Sequence, residues 1–221
     1  MSRLFLSTFA AIVLLMSSSA AYAHSGELLN FQGLGDLQTV GDFYNGAGIS
    51  GTPNYGITFS SNFLGLRSVF QGGSGAFALD PTRTPAIFIN GTPGTNVTGY
   101  MNANNGFSGG IQFFYTAAFS ETVTVWSGAN GTGTVLATIS LSPNNGSCSG
   151  FPTYCNWTSI GLNFSGTAKS VSFTGAADGI GIADITVGAD TTAVPEPATL
   201  ALLGTGLLGI SSRRIRDFFK R

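Results

Sequence analysis

An all-β fold, a jelly-roll-like two-sheet antiparallel sandwich, is what residues 24–192 predict, and three observations predict it. Glycine is frequent, with 32 in the chain, while the helix formers Glu, Lys, Arg and Gln are few. Short apolar or alternating segments recur between turn clusters. No helical pattern is present in that stretch to cover a parallel sheet, so the strands must pair antiparallel and stack as two layers.

The segments follow in order. Gly56–Ser60 alternates apolar and polar residues, and Ala86–Ile89 is a short buried-strand run. Gly110–Tyr115 is a further strand segment. Glu121–Ser127 alternates cleanly, placing Val123 and Val125 on one face and Thr122, Thr124 and Trp126 on the other. Asn130-Gly131 is a hairpin signal, and Thr134–Leu141 returns after it. Ser159–Phe164, Ser170–Thr174 and Gly181–Val187 complete the set. In such a sandwich the first and last strands are expected to lie side by side.

The ends of the chain read differently. Met1-Ser2-Arg3 is a positive start, Leu4–Met16 is apolar apart from Ser7 and Thr8, and Ala21-Tyr22-Ala23 is an A-x-A cleavage pattern. Residues 1–23 are therefore expected to be a signal peptide, cut after Ala23 by signal peptidase. At the other end, Pro195-Glu196-Pro197 precedes an uncharged run, Ala198–Ile210, then Ser211-Ser212 and a basic tail with Arg213, Arg214 and Arg216. Two prolines around a glutamate hold an extended, accessible stretch. Arginines resist crossing a bilayer and keep their end in the cytoplasm. Ala198–Ser212 spans roughly 22 Å as a helix against a hydrocarbon core of about 30 Å, so the single hydrophobic helix expected here is a short transmembrane span.

That order of parts, over residues 193–221, resembles the PEP-CTERM sorting signal of bacteria that make exopolysaccharide. The resemblance implies an exported protein, held first in the inner membrane by this helix and then processed by an exosortase. Segments of the domain resemble PEP-CTERM sandwich domains too, among them Asn54–Ser60, Val123–Gly128, Gly131–Ala137 and Phe164–Ser170. In that pattern the last strand reads Ile-Gly-Phe-Asp-Asn-Ile. Here it is Ile180-Gly181-Ile182-Ala183-Asp184-Ile185, with the acid one residue late.

Charge and inventory exclude several classes. Residues 24–192 hold three basic residues, Arg67, Arg83 and Lys169, against eight acidic ones, a net charge of −5. No basic stripe exists to hold nucleic acid. The one histidine, His24, cannot build a catalytic triad or a two-histidine copper site. No enzyme activity, cofactor or metal is expected. Many jelly-roll carbohydrate-binding modules hold calcium between first and last strands, which here would draw on Glu27 or Asn30 with Asp184. The one-residue displacement argues against it, because one step along a strand reverses the face, so Asp184 is expected to be exposed or hydrogen bonded. Asp80-Pro81 reads as a turn.

Cys148 and Cys155, the only cysteines, are expected to form a disulfide in an exported chain. For ligand binding, the candidate sugar platforms are Trp126, Trp157 and Tyr44, unless those rings fill the core. The expected role is that of a cell-envelope or extracellular-matrix protein with a structural or adhesive task in exopolysaccharide. The alternative is a specific carbohydrate-binding module.

Overall fold

The computed structural model describes residues 26–78, 80 and 82–188. The expected signal peptide 1–23, His24 and the segment 193–221 lie outside these. Among the described residues no helix is long and apolar enough to cross a membrane.

Nine strands form: β1 Glu27–Leu29, β2 Ile57–Phe59, β3 Phe63–Leu66, β4 Ala86–Ile89, β5 Asn96–Ala117, β6 Glu121–Trp126, β7 Val135–Leu141, β8 Thr158–Ala176 and β9 Ile180–Val187. Every ladder is antiparallel. The only helical elements described are single 3-10 turns at Val69–Gln71 and Ala129–Gly131. The described residues are all-β, as the composition predicts.

The strands join in one hydrogen-bonded path, β3-β4-β9-β5-β8-β6-β7, with β1 added to β9 and β2 to β5. Two long strands turn that path into two layers. β5 and β8 pair along nearly their whole lengths, but the register breaks between Asn102 and Phe107 and again between Phe107 and Gly109. Gly106 and Gly109 have φ of 72° and 89°, left-handed values that side chains with a Cβ resist. The ladder bends there and folds over. One layer contains β2, the first half of β5, the second half of β8, β6 and β7. The other contains the remaining halves with β9, β4, β3 and β1.

Aromatic rings fill the space between. Phe173 of β8 meets Phe63 of β3 edge-on, with centroids 5.9 Å apart, and Phe113 of β5 at 5.5 Å. Val123 and Val125 point into the same core, which fixes the outward face of β6 as Thr122, Thr124 and Trp126. β1 pairs with β9, Glu27 opposite Val187 and Leu29 opposite Ile185, so first and last strands are neighbours. Cys148 and Cys155 are disulfide bonded in the β7–β8 connection.

Two expectations change. The segments Ser159–Phe164 and Ser170–Thr174 are one continuous strand, because the intervening Ser165–Lys169 stays extended across the bend, with Ala168 paired to Phe107 between the two register breaks. Similarly Gly110–Tyr115 is only the second half of β5, which begins at Asn96.

Candidate functional site

The outer face of the β5-β8-β6-β7 layer is a grid of hydroxyls. Alternation along β6 turns Thr122 and Thr124 outward, and strand register aligns them with their neighbours. Thr98, Thr174, Thr122 and Ser140 are successive partners across the four strands. Tyr100, Ser172, Thr124 and Thr138 form the adjacent row, and Asn102, Ser170, Trp126 and Val135 the third. Rows of this kind repeat at the interstrand spacing of about 4.8 Å.

Hydrogen bonds hold the grid in place. The Thr98 and Thr174 hydroxyls lie 2.9 Å apart, and Thr138 donates to Thr124 at 3.3 Å. Trp126 Nε1 donates to Ser172 Oγ at 2.9 Å, which fixes the half-buried indole beside the hydroxyl rows. At one margin, Asn102 Nδ2 donates to Asn130 Oδ1 at 2.8 Å while the Asn130 amide donates back to Asn102 Oδ1 at 2.7 Å. This latches the β6–β7 turn onto β5. Tyr100 packs on Gly131, where a Cβ would come within 2.6 Å of the ring. The result is a flat polar face with two anchored rings, Trp126 and Tyr100. Ser170, Ser172 and Thr124 are buried within the layer, so the groups open to a hydrated sugar chain are the hydroxyls of Thr98, Thr122, Thr138, Ser140 and Thr174, the Asn102 amide, and the rings of Tyr100 and Trp126.

The three sequence-predicted platforms do not converge. Trp126 lies on this face. Trp157, just before β8, donates Nε1 to the Ala78 carbonyl at 2.8 Å and packs edge-on to Phe77 at 5.6 Å, covering a small cluster on the other layer. Tyr44 is a core residue and is withdrawn as a platform. It is 1% exposed, stacked on Tyr55 and edge-packed by Phe31 and Phe43, and its hydroxyl accepts the Phe31 amide at 2.7 Å. Burial pushes its pKa up to about 12.

A second polar constellation lies where the segment preceding β4 meets β9. Asp80 opens the turn its sequence predicts, closed by the Arg83 amide donating to the Asp80 carbonyl at 3.1 Å, but its side chain is buried, and so is that of Asp184. The two share Thr82 and Thr84. Thr82 Oγ1 lies 2.5 Å from Asp80 Oδ2 and also contacts Asp184 Oδ2. Thr84 Oγ1 lies 3.2 Å from Asp80 Oδ2 and 3.1 Å from Asp184 Oδ1. Burial raises the Asp184 pKa, against the lowering pull of the threonine hydroxyls, and the neighbouring Asp80 adds to the rise. A bulge in β9 explains the position: Phe114 pairs with Ala183 and Gln112 with Thr186, leaving Asp184 and Ile185 opposite the single residue Phe113. Asp184 takes φ of 50°, and Ile185 re-enters the core. Among the described residues no group of three or more His, Cys, Asp or Glu side chains gathers as a metal centre. Neither the grid nor the carboxylate pair is visible in sequence, since both depend on register between distant strands.

Against known families, residues 193–216 match the PEP-CTERM protein-sorting motif. The chain carries a PEP-CTERM sorting motif. No curated protein matches this PEP-CTERM chain. Among solved structures it is distantly similar to a family 6 carbohydrate-binding module, at 15% identity and a TM-score of 0.39, covering 75% of this chain and 95% of that one. A family 29 module gives 17% identity and a TM-score of 0.35, covering 50% and 74%. A module from Cellvibrio mixtus lichenase 5A, solved with cellotriose, gives 17% and 0.33, covering 58% and 87%.

Proposed function

We propose that this PEP-CTERM protein is exported, held transiently at the inner membrane by residues 198–212 and released to the cell envelope or matrix by an exosortase. There its sandwich serves a structural or adhesive role among exopolysaccharide. The carrying observation is the sorting-motif match at 193–216. No catalytic step is part of this reading.

The test is an immunoblot of membrane, envelope and medium fractions from strains with and without the exosortase gene. Replacing Pro195, Glu196 and Pro197 by alanine should leave insertion intact and stop processing, so that tailed protein accumulates in the membrane. Equal loss of the tail in the exosortase-deletion strain would refute the sorting step.

One feature favours the second reading, a carbohydrate-binding module: the hydroxyl grid with Trp126 anchored in its marginal row. On a glycan array probed with the full chain, any selective ligand should be lost with Trp126→Ala. The expected drop is about tenfold, since an aromatic stacking anchor contributes on the order of 1.4 kcal/mol. Unchanged selective binding by Trp126→Ala would remove this face from consideration.

A further inference from the structure

The oxygens around Asp80 and Asp184 are short of positive charge. Five close oxygen–oxygen contacts join the two carboxylates to the hydroxyls of Thr82 and Thr84 and those hydroxyls to each other, the last at 3.1 Å. Two hydroxyls have only two protons, so with both carboxyls ionised at most two of the five contacts are donated hydrogen bonds. Thr82 Oγ1 alone touches three oxygens.

A second observation is independent of those contacts. Asp80 is 2% exposed, and its Oδ1 is fully buried with no hydrogen-bond partner. An unpartnered carboxylate oxygen at that depth is costly. Asp184 is 6% exposed. The neighbours of the two carboxyl groups are the threonine hydroxyls and each other, and no basic side chain bonds to either among the described residues. Two facing buried carboxylates call for a cation between them.

We propose that Asp80, Thr82, Thr84 and Asp184 form a binding site for a hard divalent cation of the calcium class, joining the segment before β4 to β9. The donor set is all oxygen: four carboxylate and two hydroxyl atoms, with water completing the six to eight ligands that calcium takes. The absence of nitrogen and sulfur donors from this set disfavours zinc, and the mixture of two chain segments suits the looser shell of calcium better than the strict octahedron of magnesium. A cleft of about 210 Å³, lined by Leu28, Gln112, Phe113 and Thr186 together with Thr82 and Asp184, supplies an entry path. This is not the pairing of first and last strands: Asn30 Oδ1 is engaged by the Gln32 amide, and Glu27 takes no part in the cluster.

The experiment uses the full chain in detergent, stripped with EGTA and titrated calorimetrically with CaCl2 and, separately, MgCl2. One calcium should bind per chain with a Kd of about 10⁻⁴–10⁻³ M, the range of extracellular modules, and magnesium should bind more weakly. Calcium at about ten times Kd should raise Tm by about 3–6 °C over EGTA. Asp184→Asn should abolish both effects. If that variant does not fold, Thr82→Val, which removes one oxygen at constant shape, should weaken calcium binding about tenfold. No heat and no Tm shift with CaCl2 in the wild type would overturn the proposal. So would calcium binding that is unchanged in Thr82→Val and Asp184→Asn. A chain indifferent to calcium but stabilised by Asp184→Asn holds a shared proton in the cluster, which also overturns it.

Discussion

Phe173→Ala should cost this protein about 3–5 kcal/mol, a large part of the stability of an ordinary domain. The residue is 1% exposed, and its ring is the point at which the two layers touch, edge-on to Phe63 from β3 and to Phe113 from β5. Truncation removes buried apolar surface and leaves a hole bounded by strands from both layers. Those strands are tied into a continuous ladder, so the walls cannot collapse freely to fill it. Phe164→Ala offers the comparison: that ring is half-buried and pairs edge-on with Phe107, and its loss should cost less than half as much. Denaturant midpoints at constant m-value measure both. A loss below about 1 kcal/mol for Phe173→Ala would show that the layers are held some other way.

The second large effect depends on pH. Glu121 opens β6 and is 3% exposed; its Oε1 accepts the Ala176 amide at 3.2 Å, and its Oε2 has no partner. The carboxyl lies so close to Gly175 that a Cβ there would fall 1.3 Å from Oε2. Burial pushes its pKa from 4.5 to about 7, with the Ala176 bond pulling the other way. Nearby Tyr154 is raised by burial, then by the charges of Asp178 and Glu121. Since the folded carboxyl keeps its proton to higher pH than the unfolded one, this group's contribution is complete below pH 4.5. It is lost as pH rises to about 7. Glu121→Gln cannot ionise. Its stability should match the wild type near pH 5 and exceed it by about 2 kcal/mol near pH 8. Parallel pH profiles for the two proteins would contradict the assignment.

Much of the sandwich is legible in the sequence because alternation survives wherever one face is buried. Ala86–Ile89 and Glu121–Trp126 are found where their patterns lie. The long strands are not legible. Asn104, Asn105, Gly106 and Ser108 are turn-forming residues, yet they lie within β5 as a bend at which the β5–β8 register breaks and then resumes. Asp184 fails for a related reason. A strict two-residue period puts it one step out of place, and the bulge at Asp184–Ile185 supplies the missing step. Tyr44 sits in a stretch rich in Gly and Asn that reads as surface, but its cover comes from Phe31 and Tyr55, on either side along the chain. The outward Thr122 and Thr124 are readable from β6 alone. Their alignment with Thr98 and Ser172 requires knowing which strands are neighbours and in what register.

The position of β9 has a mechanical consequence. It is the last strand before residues 189–221, yet it is no edge: β5 flanks it on one side, with β1 and β4 on the other. A pull along β9 through the following chain loads three ladders in shear at once, so their hydrogen bonds must break together. An outermost strand would instead unzip one bond at a time under far less force. If the proposed C-terminal tether holds it, the sandwich takes tension where its sheet is best braced.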